Sequence, residues 1–280
     1  MGRKENISIF EDTELMCKTN LKLSANIARS RRKQAIVLET DRPDCRNATV
    51  YEKYAKVIVS KKRTLEAASY YKDYKTAVLN FASASNPGGG VVHGSSAQEE
   101  CLCRCSTLYF CLDTPEMWNG FYTPHRKAQD PIHNDDIIYT PDVTVFKKDT
   151  DRPETMPEAD WYNVDVITCA APNLKTNPTN FFNPEDGAAP VTISDVDLLA
   201  LHENRLRRIL DVAKANQIEV IILGAFGCGA FKNKPEVVAL AAKNVLKDYL
   251  SNFKFIEYAI YSRGNNNYQI FERTLKPLTR

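Results

Sequence analysis

The most suggestive acid–base residues of this sequence are two adjacent glutamates, Glu99 and Glu100, which follow a glycine-rich turn. A helix is predicted to begin beside them, with Ser96 at its N-cap and Glu99 at the third helical position, where a carboxylate bonds back to the backbone. Neighbouring side chains on a helix diverge by about 100°, so the two carboxylates should not share one task. If one of them does chemistry, capping accounts for Glu99 and leaves Glu100. With Ser95 as the N-cap, the register shifts by one residue.

The turn before these glutamates contains three consecutive glycines. Glycine adopts positive φ readily and lets a ligand touch the backbone. The N–H groups of such a turn, with the N-terminus of the following helix, suit an anion. A triple glycine alone is also compatible with a tight connection that binds nothing. The candidate binding residues of this turn and helix start are Gly88, Gly89, Gly90, Val91 and Gln98.

A second glycine-rich segment covers residues 224–233. It is neither a P-loop, because the GKS or GKT ending is missing, nor a dinucleotide fingerprint, because Lys232 replaces the third glycine. An ordinary nucleotide-dependent transferase is therefore disfavoured, and a loop whose N–H groups can wrap a pyrophosphate remains. Phe226 and Phe231 either plug the core edge or pack on a ribose or adenine, and Cys228, without an activating base, is interpreted as a small filler. The candidate binding residues are Ala225, Phe226, Gly227, Cys228, Gly229, Ala230 and Phe231.

Both glycine-rich loops follow a predicted strand and precede a predicted helix. Strands that alternate with helices imply a mainly parallel sheet with helices on both faces. Ligands bind just beyond the carboxyl ends of such strands, so both loops should lie on that rim. The predicted strands are 77–82, 136–139, 143–146, 164–170, 219–223 and 255–261, and the predicted helices are 98–112, 195–217 and 235–249.

The first 75 residues are predicted to form a helical extension packed on a core of residues 76–280. Residues 26–35 are rich in helix formers, and residues 51–59 and 63–74 carry apolar residues at helical spacing. Residues 174–191, which are rich in proline and asparagine, are predicted to be a loop.

Composition limits the partners and the compartment. The 280 residues include 37 Lys+Arg and 35 Asp+Glu, a net charge of +2, which gives no electrostatic case for a nucleic-acid binder. No apolar run is long enough to span a bilayer, and the N-terminus lacks a signal-peptide core, so a cytoplasmic location is expected, with the nucleus as an alternative. The eight cysteines are expected to be reduced. Cys101, Cys103 and Cys105 do not have the spacing of zinc ligands, so no metal is expected.

These motifs together resemble those of the microbial-type poly(ADP-ribose) glycohydrolases. Residues 88–90, seven further residues and then 98–100 are similar to the GGG…QEE signature of that family. Flanking segments that follow in the family's order are 78–84, 136–146, 168–173 and 224–231. The resemblance runs from about residue 25 to the C-terminus. Phe226 departs from it, because the family commonly has Trp there, and residues 174–191 have no counterpart that we can place.

The resemblance implies a macrodomain-like core that binds ADP-ribose and hydrolyses the O-glycosidic bond to it, with no cofactor. It implies that Glu100 is the catalytic acid, that Glu99 orients the ribose, and that residues 88–90 and 224–231 hold the pyrophosphate and the distal ribose. Such an acid protonates the leaving oxygen and then deprotonates water, so burial should raise its pKa. The alternative is a macrodomain that only binds ADP-ribose, or removes single units from a protein or a nucleic-acid base; Glu100 favours the enzyme. The oligomeric state is not predicted.

Overall fold

Short apolar runs of the chain form the strands of one sheet. The computed structural model describes residues 2–179, 189–261 and 264–279. The strands are β1 (Ala35–Val37), β2 (Lys56–Ser60), β3 (Thr76–Ala82), β4 (Ile137–Val145), β5 (Tyr162–Ala170), β6 (Val220–Leu223) and β7 (Phe255–Ala259). The α-helices are α1 (Arg3–Thr19), α2 (Leu21–Lys33), α3 (Thr64–Ala68), α4 (Gln98–Cys105), α5 (Leu108–Leu112), α6 (Pro115–Met117), α7 (Thr123–Ala128), α8 (Asp195–Ala215), α9 (Pro235–Leu246) and α10 (Asn267–Leu275).

The sheet has the strand order β1-β4-β5-β3-β6-β7-β2. The pairs β5–β3, β3–β6, β6–β7 and β7–β2 are parallel, and β4 pairs antiparallel with both β5 and β1. The predicted mainly parallel sheet is therefore confirmed. The carboxyl ends of four adjacent strands, β5, β3, β6 and β7, meet at one rim, where ligands of such sheets bind.

Helices cover both faces of the sheet, as predicted. Along β3, Ala77 and Leu79 pack in a core cluster with α8, α9 and α10, whereas Val78 packs in a second cluster with α3, α4 and α5. Successive side chains of a strand point to opposite faces, so a strand between two helical layers must be apolar on both. This explains why β6 is wholly apolar and why β3 is apolar on both faces along most of its length.

The first two helices pack together beside the sheet. Asn20 caps α2, because its side chain accepts hydrogen bonds from the N–H groups of Lys22 and Leu23. Cys17 and Leu23 pack with Phe146, at the end of β4. These two helices fit the predicted helical extension.

Two strands of the sheet nevertheless precede residue 76, at which the predicted core begins. The helical interpretation of residues 51–59 is wrong, because Lys56–Ser60 pair in parallel with Phe255–Ala259. Only part of the predicted helix at 63–74 forms, as α3 and the short 3₁₀ turn Ser69–Tyr71. The division at residue 76 stays a prediction.

The predicted helix at 98–112 is two helices. Ser106 separates α4 from α5: its backbone pairs with Val145, and its hydroxyl donates to the carbonyl of Leu102 at 2.8 Å. A serine that bonds back in this way weakens and bends a helix, which favours a break at this position. The two strands predicted at 136–139 and 143–146 form one strand, β4, with a register shift after Thr140.

Some segments were not predicted or cannot be compared. No local pattern predicted α6, α7 or the π-helical turn Trp118–Tyr122 between them. Of the predicted loop 174–191, residues 180–188 lie outside the described residues, and the remainder contains no helix or strand. No helix of the described residues combines the length and the apolar character needed to cross a bilayer.

Candidate active site

A cleft of about 770 Å³ opens at the rim where the four strands end. Residues that follow each strand line it: Ser83 after β3, Ala171 after β5, the loop 225–231 after β6 and Tyr261 after β7. The first turn of α4, with Glu99 and Glu100, forms another part of its wall. The structure thus brings both predicted loops and both glutamates to one cavity, of the size that binds small molecules.

Glu99 lines the cleft and is only 3% exposed. Its carboxylate accepts hydrogen bonds from the side-chain amide of Asn80 at 3.1 Å and from the backbone N–H of Ser83 at 2.7 Å. The backbone N–H of Gly88 is a third donor. All three donors come from β3 or the first glycine-rich loop. Hydrogen bonds of this kind favour the ionised carboxylate.

Glu100 has fewer partners. It is 7% exposed, and its Oε1 accepts a hydrogen bond from the backbone N–H of Gly90 at 2.9 Å. Its Oε2 is buried and has no hydrogen-bond partner among the described residues. A buried carboxylate oxygen without a donor is costly as an anion, so this atom is the natural place for a proton.

Burial changes the acidity of both carboxyls. It raises the pKa of Glu99 to about 8, with the charge of Glu100 adding to the effect, and it also raises the pKa of Glu100. Two coupled carboxyls in one site tend to hold a single proton between them. Because Glu99 accepts from three donors and Glu100 Oε2 from none, the shared proton belongs on Glu100. The direction for Glu100 agrees with the expected effect of burial on its pKa.

The glycine at position 89 is required by both carboxylates. Its φ is +58°, and a Cβ there would stand 2.6 Å from Glu100 Oε1 and 3.1 Å from Glu99 Oε2. Any side chain would therefore displace them. The two carboxylates approach the same backbone position, so the predicted divergence is wrong. The loop folds over the first turn of α4, and both long side chains bend towards it.

The predicted capping box is also wrong. The helix begins at Gln98, and its N-cap residue is Ala97, which makes no side-chain hydrogen bond. Glu100, rather than Glu99, therefore occupies the third helical position. Ser96 is not the N-cap residue, and the carboxylate of Glu99 holds the preceding loop.

The other predicted residues of the first loop differ in where they point. The Gln98 amide donates to the carbonyl of Leu79 at 2.7 Å, and its oxygen accepts from the N–H of Phe81 at 2.9 Å. Gln98 lines the cleft while it secures the end of β3. Gly89 and Gly90 also line it, whereas Val91 is fully buried in the core. A side chain at Gly88 would meet Tyr109, Val91 and Cys103, away from the cleft.

The second loop contributes most of its predicted residues to the cleft. Those that line it are Ala225, Gly227, Gly229, Ala230 and Phe231. Phe226 does not line it: the ring is 6% exposed and packs 5.6 Å from Phe81 and 6.1 Å from His202, between centroids. The sequence leaves two interpretations open for these aromatic residues, packing at the edge of the core or contact with the ligand. Phe226 packs in the core, whereas Phe231 faces the cavity.

Cys228 also lies outside the cleft lining. Its thiol donates to the carbonyl of Phe226, and burial raises the pKa of the thiol far above its usual range. A thiol that stays protonated is a poor nucleophile. The structure therefore agrees with its interpretation as a small filler.

Asn233 holds the second loop in shape, a role that was not predicted. Its side-chain amide donates to the carbonyls of Pro172 at 2.7 Å and Gly227 at 3.1 Å. Its oxygen pairs with Nε2 of His202 at 2.8 Å. Because the amide nitrogen of Asn233 donates, His202 must donate through Nε2. Burial lowers the pKa of His202 to about 4, so this ring is neutral at physiological pH.

The first loop is held from outside by α1 and α7. Asn6 of α1 donates to the carbonyl of Gly94 at 2.9 Å, and Arg3 donates to that of His93 at 2.7 Å. Arg126 of α7 donates to the carbonyl of Ser85 at 2.7 Å. These contacts join segments far apart in sequence, which explains why no local pattern predicts them.

Another part of the cleft lining carries charged side chains. The guanidinium of Arg63 forms ion pairs with Asp149 and Asp151 and lies 3.9 Å from the ring centroid of Tyr261. These residues were not predicted to belong to the site. Within residues 2–179, 189–261 and 264–279, no cluster of three His, Cys, Asp or Glu residues could hold a metal ion.

Comparisons with known proteins identify the family. The family described as "Microbial-type PARG, catalytic domain" matches residues 4–148, more than half of the chain. The poly(ADP-ribose) glycohydrolase of Thermomonospora curvata has a similar structure, with a TM-score of 0.81, 26% identity and coverage of 96% of this chain and 98% of that one. Its complex with the inhibitor ADP-HPD gives a TM-score of 0.78 at 26% identity and the same coverage.

A second similar enzyme is the poly(ADP-ribose) glycohydrolase of Deinococcus radiodurans, solved in complex with ADP-ribose. It is 30% identical, with a TM-score of 0.76 and coverage of 90% of this chain and 98% of that one. No curated protein matches the sequence. The family match covers residues 4–148, and the similar structures cover 90–96% of the chain. The chain therefore belongs to the family of microbial-type PARG catalytic domains and is a glycosidase.

Proposed function

We propose that this protein hydrolyses the O-glycosidic bond to ADP-ribose and releases ADP-ribose, with Glu100 as the acid/base residue. The buried carboxyl of Glu100, with a proton site on Oε2 and the backbone of Gly89 and Gly90 beside it, carries the proposal. The D. radiodurans enzyme in complex with ADP-ribose and the T. curvata enzyme bound to ADP-HPD support ADP-ribose as the ligand.

The reaction begins with proton transfer from Glu100 to the leaving oxygen. Cleavage of the glycosidic bond passes through an oxocarbenium-like transition state, in which the leaving oxygen needs a proton as the bond breaks. The resulting Glu100 carboxylate then takes a proton from the water that attacks the anomeric carbon, which restores the acid. One carboxyl thus serves both steps.

Glu99 serves the same reaction as an ionised group. Its position beside Glu100 lets it accept hydrogen bonds from ribose hydroxyls and orient the sugar. Its negative charge also stabilises the developing positive charge of the sugar. The substrate's own diphosphate, held by the loop 224–231, adds to this stabilisation and explains why a second proton-transferring carboxyl is not needed.

The wider proposal follows the sequence resemblance. The core is a macrodomain, with residues 1–75 as an extension on it, and the protein acts in the cytoplasm, with the nucleus as an alternative. No membrane or metal takes part in this reaction scheme.

The test incubates purified protein with poly(ADP-ribosyl)ated and mono(ADP-ribosyl)ated protein and quantifies free ADP-ribose. Glu100→Gln keeps the shape and the acceptor for Gly90 but cannot donate an acid proton, so we expect release to fall by about 10²–10⁴-fold while ADP-ribose still binds. Glu116→Gln, at an exposed site on α6, is the matched control and should retain wild-type activity.

The outcomes separate the alternatives. If the Glu100→Gln variant were as active as wild type, Glu100 would not be the acid/base residue. A wild type that binds ADP-ribose but releases none from either substrate would instead be a binding module. Release from the mono(ADP-ribosyl)ated substrate alone would limit the activity to single units.

A further inference from the structure

The loop after β6 presents an unused row of hydrogen-bond donors to the cleft. In the described part of the chain, no acceptor bonds the backbone N–H groups of Gly227, Gly229, Ala230 and Phe231. The φ of Gly227 is +75°, and a Cβ there would stand 2.5 Å from Asn233 Nδ2, so only glycine fits. Successive free N–H groups of this kind form an anion-binding concavity.

Those donors are neutral, and carboxyl groups share the cleft with them. The described lining of the cleft contains the carboxyl groups Glu99, Glu100, Asp149 and Asp151. A diphosphate carries two negative charges, so its entry into such a cleft requires a cation that is not already neutralised.

Two of the three lysine and arginine side chains in the described lining are committed elsewhere. Arg63 is paired with Asp149 and Asp151. Arg104 forms no ion pair among the described residues, but its side chain is 1% exposed and donates inward to the carbonyl of Ser95, so burial keeps its charge from a ligand.

Lys175 is the third, and it forms no ion pair with any carboxylate of the described chain. Its ammonium lies 5.9 Å from the ring centroid of Phe231. The backbone N–H of Leu174 donates to the carbonyl of Phe231 at 2.9 Å. This hydrogen bond holds the segment that contains Lys175, which follows β5, against the loop after β6.

We propose that Lys175 is a specificity-determining residue that pairs with the diphosphate of the ligand and makes this cleft select nucleoside diphosphates over uncharged nucleosides. This inference rests on the proposed function and adds a residue from the segment that has no counterpart in the family's pattern. Lysine is a point charge on a flexible stem, so it reaches an anion held at the N–H groups without a fixed bidentate geometry.

The experiment measures the affinity of ADP-ribose and of adenosine by calorimetry for wild type, Lys175→Met and Lys175→Arg, at low and high salt. Loss of one charge-assisted contact should weaken ADP-ribose binding by about tenfold in Lys175→Met. Adenosine binding should stay within about twofold, and Lys175→Arg should restore most of the affinity. The difference between wild type and Lys175→Met should shrink as salt rises, because screening weakens a partly exposed pair.

The matched control is Lys234→Met. Lys234 ends the same loop but already pairs with Asp195, 2.5 Å away on α8, and its side chain is 60% exposed. We expect its ADP-ribose affinity to equal that of wild type. Thermal unfolding of each variant confirms that the fold is kept.

Equal ADP-ribose affinity in Lys175→Met and wild type would overturn the proposal. An equal loss for adenosine, or the same loss in Lys234→Met, would overturn it as well, because neither depends on pairing at the diphosphate. Failure of the proposed function is distinguishable: a wild type that binds ADP-ribose but releases none from any substrate lacks the activity, while the binding comparison still decides the role of Lys175.

Discussion

The two glycine-rich loops of this protein lie on one rim but are held in different ways. The first is fastened by the carboxylates themselves, since Glu99 accepts from Ser83 and Glu100 accepts from Gly90. The second is fastened by a neutral amide, that of Asn233. Chemistry and loop shape are thus inseparable in the first loop, whereas the second can only bind. Changes in the first loop should alter kcat, and changes in the second should alter the affinity.

Among the variants that test this difference between the loops, Gly89→Ala should reduce activity most. The new Cβ would overlap Glu100 Oε1, 2.6 Å away, in a left-handed backbone conformation. Displacement of a catalytic group by about 1 Å can cost about 10² in rate, so kcat should fall by about that factor. Single-turnover release of ADP-ribose measures it.

Gly229→Ala is the matched control in the second loop, because a Cβ there meets nothing within 4 Å. Its kcat should stay within about twofold of wild type. An equal loss in both variants would show that the loops do not differ in the way described.

The pH dependence tests the shared proton. Burial raises the pKa of both carboxyls, so the acid form of Glu100 should persist to higher pH than in an exposed glutamate. The rate constant kcat/KM should fall about tenfold per pH unit above the upper pKa of the pair, as the shared proton is lost. It should also fall at low pH, as the pair takes a second proton and Glu99 loses its charge.

Glu99→Gln sharpens this test. It removes the low-pH limb, because the group that must be ionised is gone. It also shifts the high-pH limb to lower pH, because the neighbouring charge no longer favours the acid form of Glu100. A profile that keeps both limbs unchanged would contradict the assignment of one proton to this pair.

A smaller effect is expected from Asn233→Ala. The carbonyls of Pro172 and Gly227 and the ring of His202 would lose a buried partner, and the second loop would relax. ADP-ribose affinity should fall by about tenfold, equivalent to a loss of about 1.4 kcal/mol, while kcat stays within about threefold. Calorimetry and steady-state kinetics separate the two.

Asn252→Ala serves as its control, because Asn252 is similarly buried but donates to Thr49, at another part of the molecule. It should destabilise the fold without altering the affinity. A kcat loss in Asn233→Ala as large as that of Gly89→Ala would break the division between the loops.

The smallest effect is expected from Cys228→Ser. The thiol lies outside the cleft lining, and burial keeps it protonated. Activity should remain within about twofold of wild type. A thiol-alkylating reagent should have the same effect on the activity of the variant as on that of wild type. A large loss of activity would give Cys228 a part in the reaction.

Local patterns predict much of this molecule. The alternation of apolar runs and amphipathic segments predicts the parallel sheet. It also predicts both loops at the rim, because each loop directly follows a predicted strand and precedes a predicted helix. The helical interpretation of residues 51–59 rests on Tyr51, Ala55 and Val59, which are spaced by four residues. It is wrong because this spacing is accidental: of the three, only Val59 lies in a regular element, the strand β2. Pairing with β7, about 200 residues later, decides the conformation there.

Contacts between distant segments account for the other errors. Ser96 fits a cap in sequence, yet the helix begins one residue later, because the first loop is fixed by Gly90, which accepts from the N–H of Ser95 at 3.1 Å. Asn233 and Lys175 carry no local signature, since their partners lie on other elements of the rim. The side chains of Glu99 and Glu100 are also long enough to bend towards one loop, although neighbouring positions on a helix point in different directions.

The register of β2 on β7 ties an early part of the chain to its last tenth, since Lys56 pairs with Phe255 and Ser60 with Ala259. A ribosome delivers both catalytic glutamates long before it delivers β7. Until that strand leaves the exit tunnel, β2 has no partner in the sheet and β6 exposes an unpaired edge, which makes the chain prone to aggregation. A nascent chain therefore carries the reactive carboxyls without a finished nucleotide site until translation is almost complete.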